Sequence, residues 1–371
     1  MRDAEVFRYP ERTVVTPQDY RAAAARIAPY VRRTPVLRAA VDGRAVSFKL
    51  EHLQVAGVFK IRGALNALLS RGGQNPSMGG SRPPSPLAPG DPPLGGTARP
   101  PEPPWRVVTA SGGNHGLGVA TAARWLGIPA TVFVPATVPE VKARRIAAQA
   151  ADVVKTGSVY AEAERAAREF AVRHGLYYVH AYDDPAVVAG QGTVGLEIAE
   201  DIPDCDAVAV PVGGGGLLAG VSGALASCSA VAANGAVAAS GAVAASSAVA
   251  AGGGGAPRRT VAVEPKGCPT LHAAVAAGEP VEVGADSVAA SALGASRVGD
   301  LALAAYRAYP VSLALVDDGE IRSARDRLWE EFRLAVEPAA ATVFAAWLSG
   351  RVPGEHPCLV LSGANADWVP A

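Results

Sequence analysis

The chain has 371 residues, room for one or two domains around a large buried core. Its 34 basic and 34 acidic residues cancel, which argues against a polycation-type nucleic-acid binder or a surface built for acidic membranes. Five of the basic residues are lysines and 29 are arginines, so few side chains can supply amine chemistry.

In chain order, the first feature is an apolar turn over Glu51–Ala64 that enters a helix. Strands are predicted at Val107–Ala110, Ala130–Pro135, Tyr177–His180, Ala207–Val212, Thr260–Val263, Val311–Val316 and Cys358–Leu361, from their short β-branched runs. Helices are predicted at Asn114–Leu126, Val138–Ala150, Tyr160–His174, Gly215–Leu225, Thr270–Ala277, Asp318–Phe332 and Ala339–Leu348. Uniformly apolar strands alternating with helices predict an α/β fold, its largely parallel sheet covered on both faces. Ligands on such sheets bind at the carboxyl ends of strands, so the loops after strands are where chemistry is sought.

Two segments interrupt the pattern. Arg71–Pro104 holds eleven of the 30 prolines and reads as a mobile surface loop, with a PxxP ligand as the alternative. Ala226–Ala256 carries the repeat AVAANG, AVAASG, AVAASS, AVAAGG, too short and too poor in large apolar groups for a solenoid. It reads as a frayed helix or a loop. The stretch Ala207–Pro257 has 51 residues without a charge, but Pro211 and its glycine- and alanine-rich content argue against a membrane span. Cys205, Cys228, Cys268 and Cys358 are scattered, with no zinc spacing, and the first residues lack the apolar run of a secretory signal. A reducing, cytoplasmic setting is expected.

Four loops could carry chemistry. Pro211–Leu217 places four glycines between a strand and a helix, either as a phosphate cradle or as tight packing. Ser111–Gly116 offers a hydroxyl and an amide beside small residues, or simply a helix cap. Lys60 lies between Phe59 and Ile61, where burial would make a usable amine nucleophile; a snorkelling surface lysine is the alternative. Ser362 follows the last strand and could face a heteroaromatic nitrogen or only form a turn. A phosphate cradle, an apolar lysine, an asparagine loop and a late serine together are the parts of a pyridoxal phosphate site.

The order ExxQxxGxFKxRGA, SGGNHG, GQGT, GGGGL, VEP and LSGAN resembles the fold-type II pyridoxal phosphate enzymes, and within them the serine/threonine dehydratase and serine racemase group. The resemblance runs from Thr16 to Asp367, apart from the two inserts. It implies a two-domain tryptophan synthase β-like fold. Residues 1–70 and 184–371 would form a large cofactor-binding domain with a low-complexity insert at 226–256. Residues 71–104 would be an insert, and 105–183 a small substrate-clamping domain. Lys60 would hold the cofactor as a Schiff base and take the substrate Cα proton, with Phe59 flanking the ring. Asn114 would bond the 3-oxygen. Gly213, Gly214, Gly215, Gly216 and Leu217 would hold the phosphate, and Ser362 would face the pyridine nitrogen. Ser111, Asn114 and His115 would clamp the substrate carboxylate.

The implied reaction is β-elimination from a β-hydroxy amino acid such as L-threonine or L-serine, giving a 2-oxo acid and ammonia in a homodimer. A serine opposite the pyridine nitrogen suits elimination better than transamination. The alternatives are a β- or γ-replacement synthase, disfavoured by His115, and a silent cofactor-binding relative. Gly112 stands where racemases of the group carry a second serine, which favours the dehydratase. Val58 replaces the usual serine, and Ser287–Leu301 replaces a more usual segment near the site, so the substrate could be another β-hydroxy amino acid. Glu264 matches the start of a divalent cation site, but Thr270 stands where a later acidic ligand is expected. The chain ends soon after the last motif, so a C-terminal regulatory domain is not expected.

Overall fold

A computed structural model describes residues 15–72, 105–239 and 258–366. Most of the Arg71–Pro104 segment and the end of the alanine repeat lie outside the described residues. The elements run α1 (Pro17–Ile27), β1 (Val36–Val41), β2 (Arg44–Lys49), α2 (Lys60–Gly72), β3 (Val107–Ala110), α3 (Asn114–Trp125), β4 (Ala130–Val134), α4 (Glu140–Ala147), β5 (Asp152–Lys155) and α5 (Tyr160–His174). They continue as β6 (Tyr177–Tyr178), α6 (Pro185–Asp201), β7 (Ala207–Pro211), α7 (Gly216–Ala239), β8 (Arg259–Pro265), α8 (Thr270–Ala277), α9 (Ala290–Leu293), α10 (Asp300–Ala308), β9 (Val311–Val316), α11 (Asp318–Phe332), α12 (Pro338–Leu348) and β10 (Cys358–Val360).

The strands form two sheets. Six take the order β1-β2-β10-β7-β8-β9, and four take the order β5-β4-β3-β6. Every pairing is parallel except the β1–β2 hairpin. Its turn is Asp42-Gly43, both at positive φ (50° and 74°), the backbone that a two-residue hairpin requires. Strands β3, β4, β7 and β10 are buried throughout, as expected for sheets covered on both faces.

α7 runs on to Ala239, so the first part of the alanine repeat is helical, the first of the two readings above. Alanine is the best helix former, and the run carries the helix through Asn234 and Gly235. Elements α1, α6, α9, α10, β1, β2 and β5 have no counterpart among the sequence expectations. No helix among the described residues is long and apolar enough to cross a membrane.

The loops that matter all leave the carboxyl ends of strands. Ser111 follows β3, Gly213 follows β7, Ser362 follows β10, and the Lys60 segment follows β2. This is where parallel sheets open to ligands.

Candidate active site

Lys60 opens α2. The chain reaches it through Ala56 and Gly57, both at positive φ (65° and 70°), a bend that costs Ala56 strain. That bend is bolted to the Ser362 loop. Phe59 N–H donates to the Ser362 carbonyl at 3.1 Å, and Ala364 N–H donates to the Gly57 carbonyl at 2.9 Å. Val58 is fully buried and bridges to Gly363, so a valine there packs the two loops together.

The rest of the long motif around Lys60 is scaffold. Arg62 is fully buried and meets Glu51 through two bonds, Nε to Oε2 at 2.9 Å and Nη2 to Oε1 at 2.8 Å. It meets Glu197 through two more, at 2.7 and 3.0 Å. The Thr34 hydroxyl adds a bond to Glu51 at 2.5 Å. Gln54 grips the backbone of Arg32, accepting from its N–H at 2.9 Å and donating to its carbonyl at 2.8 Å. These contacts pin the start of α2, and hence the lysine.

One cavity collects Phe59, Lys60, Asn114, Gly213, Gly214, Gly215, Gly216, Leu217 and Ser362, together with Pro211, Ala292, Leu293, Glu337 and Ala339. Lys60 Nζ donates to the Ala181 carbonyl at 2.8 Å and lies 5.3 Å from the centre of the Phe59 ring. Burial brings its ammonium down to about 8, against the opposing pull of Glu337. An amine with that pKa is partly neutral near pH 7 and can act as nucleophile or base.

The glycine turn tolerates no side chain. An added Cβ would come within 2.8 Å of Leu293 at Gly213, 2.2 Å of Tyr182 at Gly214, 2.3 Å of Ala302 at Gly215 and 2.7 Å of Tyr182 at Gly216. Gly215 also needs its positive φ of 84°. Among the described residues no backbone carbonyl takes the N–H groups of Gly213, Gly214 or Gly215. They sit at the start of α7, where the helix dipole adds to their attraction for an anion. Free N–H groups, a helix N-terminus and a softened lysine in one cavity fit pyridoxal phosphate.

Ser111 and His115 are not among the residues lining the cavity. The Ser111 hydroxyl accepts from Gly113 N–H at 3.2 Å and shapes its own loop. The buried His115 turns its Nε2 to the Val179 carbonyl at 3.1 Å. A carbonyl only accepts, so Nε2 carries the proton and Nδ1 is left as an acceptor. Burial first, and Lys60 second, push this imidazole down to about 3, which keeps it neutral. Gly112 faces Val138, whose Cγ2 lies 2.5 Å from where a Cβ would stand.

Glu337 is the residue that sequence reasoning missed. It precedes Pro338 at the start of α12 and is 2% exposed. Its Oε1 accepts from Asn114 Nδ2 at 2.7 Å, and Oε2 has no partner among the described residues. Asn114 Oδ1 in turn accepts from Asn365 Nδ2 at 3.0 Å. Burial raises the carboxyl to about 7. The available signal was a lone carboxylate inside the apolar run Leu334–Leu348.

A family model described as pyridoxal-phosphate dependent enzyme matches residues 27–363. An L-threonine ammonia-lyase from Thermotoga maritima is 31% identical over 359 residues, covering 95% of this chain and 76% of that protein. A serine racemase from Arabidopsis thaliana is 30% identical over 353 residues, covering 92% of this chain and 90% of that protein. A crystal structure of threonine deaminase from T.th. superposes with a TM-score of 0.75 at 29% identity, covering 96% of this chain and all of that one. The chain therefore belongs to the pyridoxal-phosphate dependent enzymes.

Proposed function

We propose that this enzyme is an ammonia-lyase that removes water from a β-hydroxy amino acid, L-threonine or L-serine, and releases a 2-oxo acid and ammonia. The observation that carries this reading is Lys60 in the cavity, with a glycine at position 112 where the racemases of the group carry a second acid–base serine. Lys60 Nζ points into the cavity, whereas Gly112 offers no proton donor and Val138 fills the space beside it. Racemisation needs acid–base groups on both faces of Cα; elimination needs one. A threonine ammonia-lyase and a serine racemase are similarly close in sequence, and Gly112 favours the lyase.

Pyridoxal phosphate, when bound, supplies an electron sink for the pair left at Cα. In this reading the turn Gly213–Gly216 and Leu217 would hold its phosphate, Phe59 would flank the ring, Asn114 would bond the 3-oxygen and Ser362 would face the ring nitrogen. The Ser111–His115 loop, through backbone N–H groups and Asn114, takes the substrate carboxylate. Lys60 Nζ, oriented by the Ala181 carbonyl, removes the Cα proton. The Cβ–O bond breaks, the departing hydroxyl takes up a proton that balances the one removed from Cα, and water leaves. The enamine released to solvent hydrolyses to the 2-oxo acid and ammonia.

Residues 105–183, built on the four-stranded sheet, act as the clamping domain, and 1–70 with 184–371 as the cofactor-binding domain. A cytoplasmic homodimer completes the proposal, supported by the four free cysteines and the family resemblance. Incubation with L-threonine or L-serine tests it. Equal yields of 2-oxo acid and ammonia, with no D-amino acid on chiral chromatography, are expected. D-serine as the main product would overturn the reading.

A further inference from the structure

The glycine turn must keep its shape without side chains of its own. Behind it, near the end of β8, lies the fully buried Glu264. Its Oε1 accepts from the Thr270 hydroxyl at 2.9 Å and from Leu271 N–H at 2.7 Å. Its Oε2 takes His272 N–H at 3.0 Å and contacts His272 Nδ1 at 2.7 Å. The Thr270 hydroxyl has one proton, which it shares in a three-centre contact between that Oε1 and the Gly213 carbonyl, 2.5 Å away. One carboxylate thus satisfies the N-terminus of α8 and reaches, through one hydroxyl, the first residue of the turn.

This arrangement is closed to a divalent cation. Such an ion wants about six or more oxygen ligands. Here a single carboxylate is available, and both of its oxygens are already engaged by N–H and O–H groups. Thr270 occupies the position of the later acidic ligand that the family resemblance led us to expect. Among the described residues no group of three His, Cys, Asp or Glu side chains could hold a metal.

We propose that Glu264, Thr270 and His272 form a metal-free latch that fixes the Gly213 carbonyl and so aims the Gly213–Gly216 N–H groups at the cofactor phosphate. The proposal rests on the cofactor reading above. Glu264 and Thr270 are positioning residues in it. Gly213 has no Cβ to hold it, so a bond to its carbonyl is the direct way to fix the peptide that follows.

The test titrates the cofactor-free protein with pyridoxal phosphate and, separately, with pyridoxal, which lacks the phosphate. Wild type, Thr270→Val and Thr270→Ser are compared, and wild type is repeated with EDTA and with excess Mg²⁺. Thr270→Val is expected to weaken pyridoxal phosphate binding roughly tenfold, as loss of one charge-linked hydrogen bond implies, and to leave pyridoxal binding alone. Thr270→Ser keeps the hydroxyl and stays close to wild type, and EDTA changes nothing. Equal weakening of both ligands, or wild-type affinity in Thr270→Val, overturns the latch. So does an affinity that EDTA removes and Mg²⁺ restores, an arm that needs no variant. A wild-type protein that binds pyridoxal but gains nothing from the phosphate sinks the latch alone; one that binds neither sinks the cofactor reading with it.

Discussion

Two buried carboxylates, Glu51 and Glu337, live under opposite conditions. Glu51 is fully buried and receives two bonds from Arg62 and one from Thr34. Glu337 is as deeply buried, yet it has Asn114 on one oxygen and no partner on the other among the described residues. Both cost free energy to desolvate, but only Glu51 recovers it through a bidentate ion pair. A fully satisfied network holds its shape and does no chemistry. An incompletely satisfied carboxyl, raised to about 7 beside an amine lowered to about 8, is held ready to exchange a proton or to meet a ligand. The difference separates a carboxylate of the scaffold from a carboxylate of the site.

That contrast can be broken by mutation, beginning with the largest effect. Arg62→Leu leaves Glu51 and Glu197 buried without their guanidinium, and should cost about 3–5 kcal/mol of stability. A thermal melt reads it; an unchanged midpoint would mean that the network is not scaffold.

Glu337→Gln should do the reverse. It should leave the melt near wild type and reduce turnover roughly tenfold or more, because Asn114 loses its charged anchor and its aim. The same variant sharpens the pH profile of stability. In wild type the native carboxyl binds a proton up to about pH 7, whereas an unfolded one releases it near 4.5. The native state therefore holds more protons between those values, and stability falls as pH rises through that window. Glu337→Gln should flatten the slope.

Lys60 gives a kinetic test of intermediate size. Uptake of pyridoxal phosphate by the cofactor-free protein requires the neutral amine. Its rate should climb with pH, roughly tenfold per unit below the pKa, and level off above about 8. A plateau reached only near 10 would show an exposed, ordinary lysine. The smallest effect belongs to the surface. Arg38 and Asp204 form a bidentate pair at 2.8 and 2.9 Å, with both side chains about half exposed. Arg38→Ala should change stability by less than about 1 kcal/mol, despite geometry as good as that of Arg62.

The strand-to-helix loops were legible because glycine runs and a lysine among apolar residues are local signals. Phe59, Lys60, Asn114, the glycine turn and Ser362 meet in one cavity although they span some three hundred positions of sequence. The hairpin at Asp42-Gly43 carried a turn signal in two residues, yet its flanking strands lack clear alternation. Glu337 and the pairing of Glu51 with Arg62 were hidden for a different reason. A carboxylate's role depends on which cation or amide lies across the fold, and spacing along the chain does not record that. The Glu264 latch shows the same limit. Sequence offered a ligand position there, while the structure engages both oxygens with the start of α8.

The central claim is that one lysine of five does the chemistry. Borohydride reduction of the cofactor-loaded protein, followed by digestion and peptide mapping, tests it directly. A pyridoxyl group is expected on Lys60 alone, and none in Lys60→Ala, which should also release no 2-oxo acid. Label on Lys49, Lys142, Lys155 or Lys266, or 2-oxo acid from the Lys60→Ala protein, would contradict it.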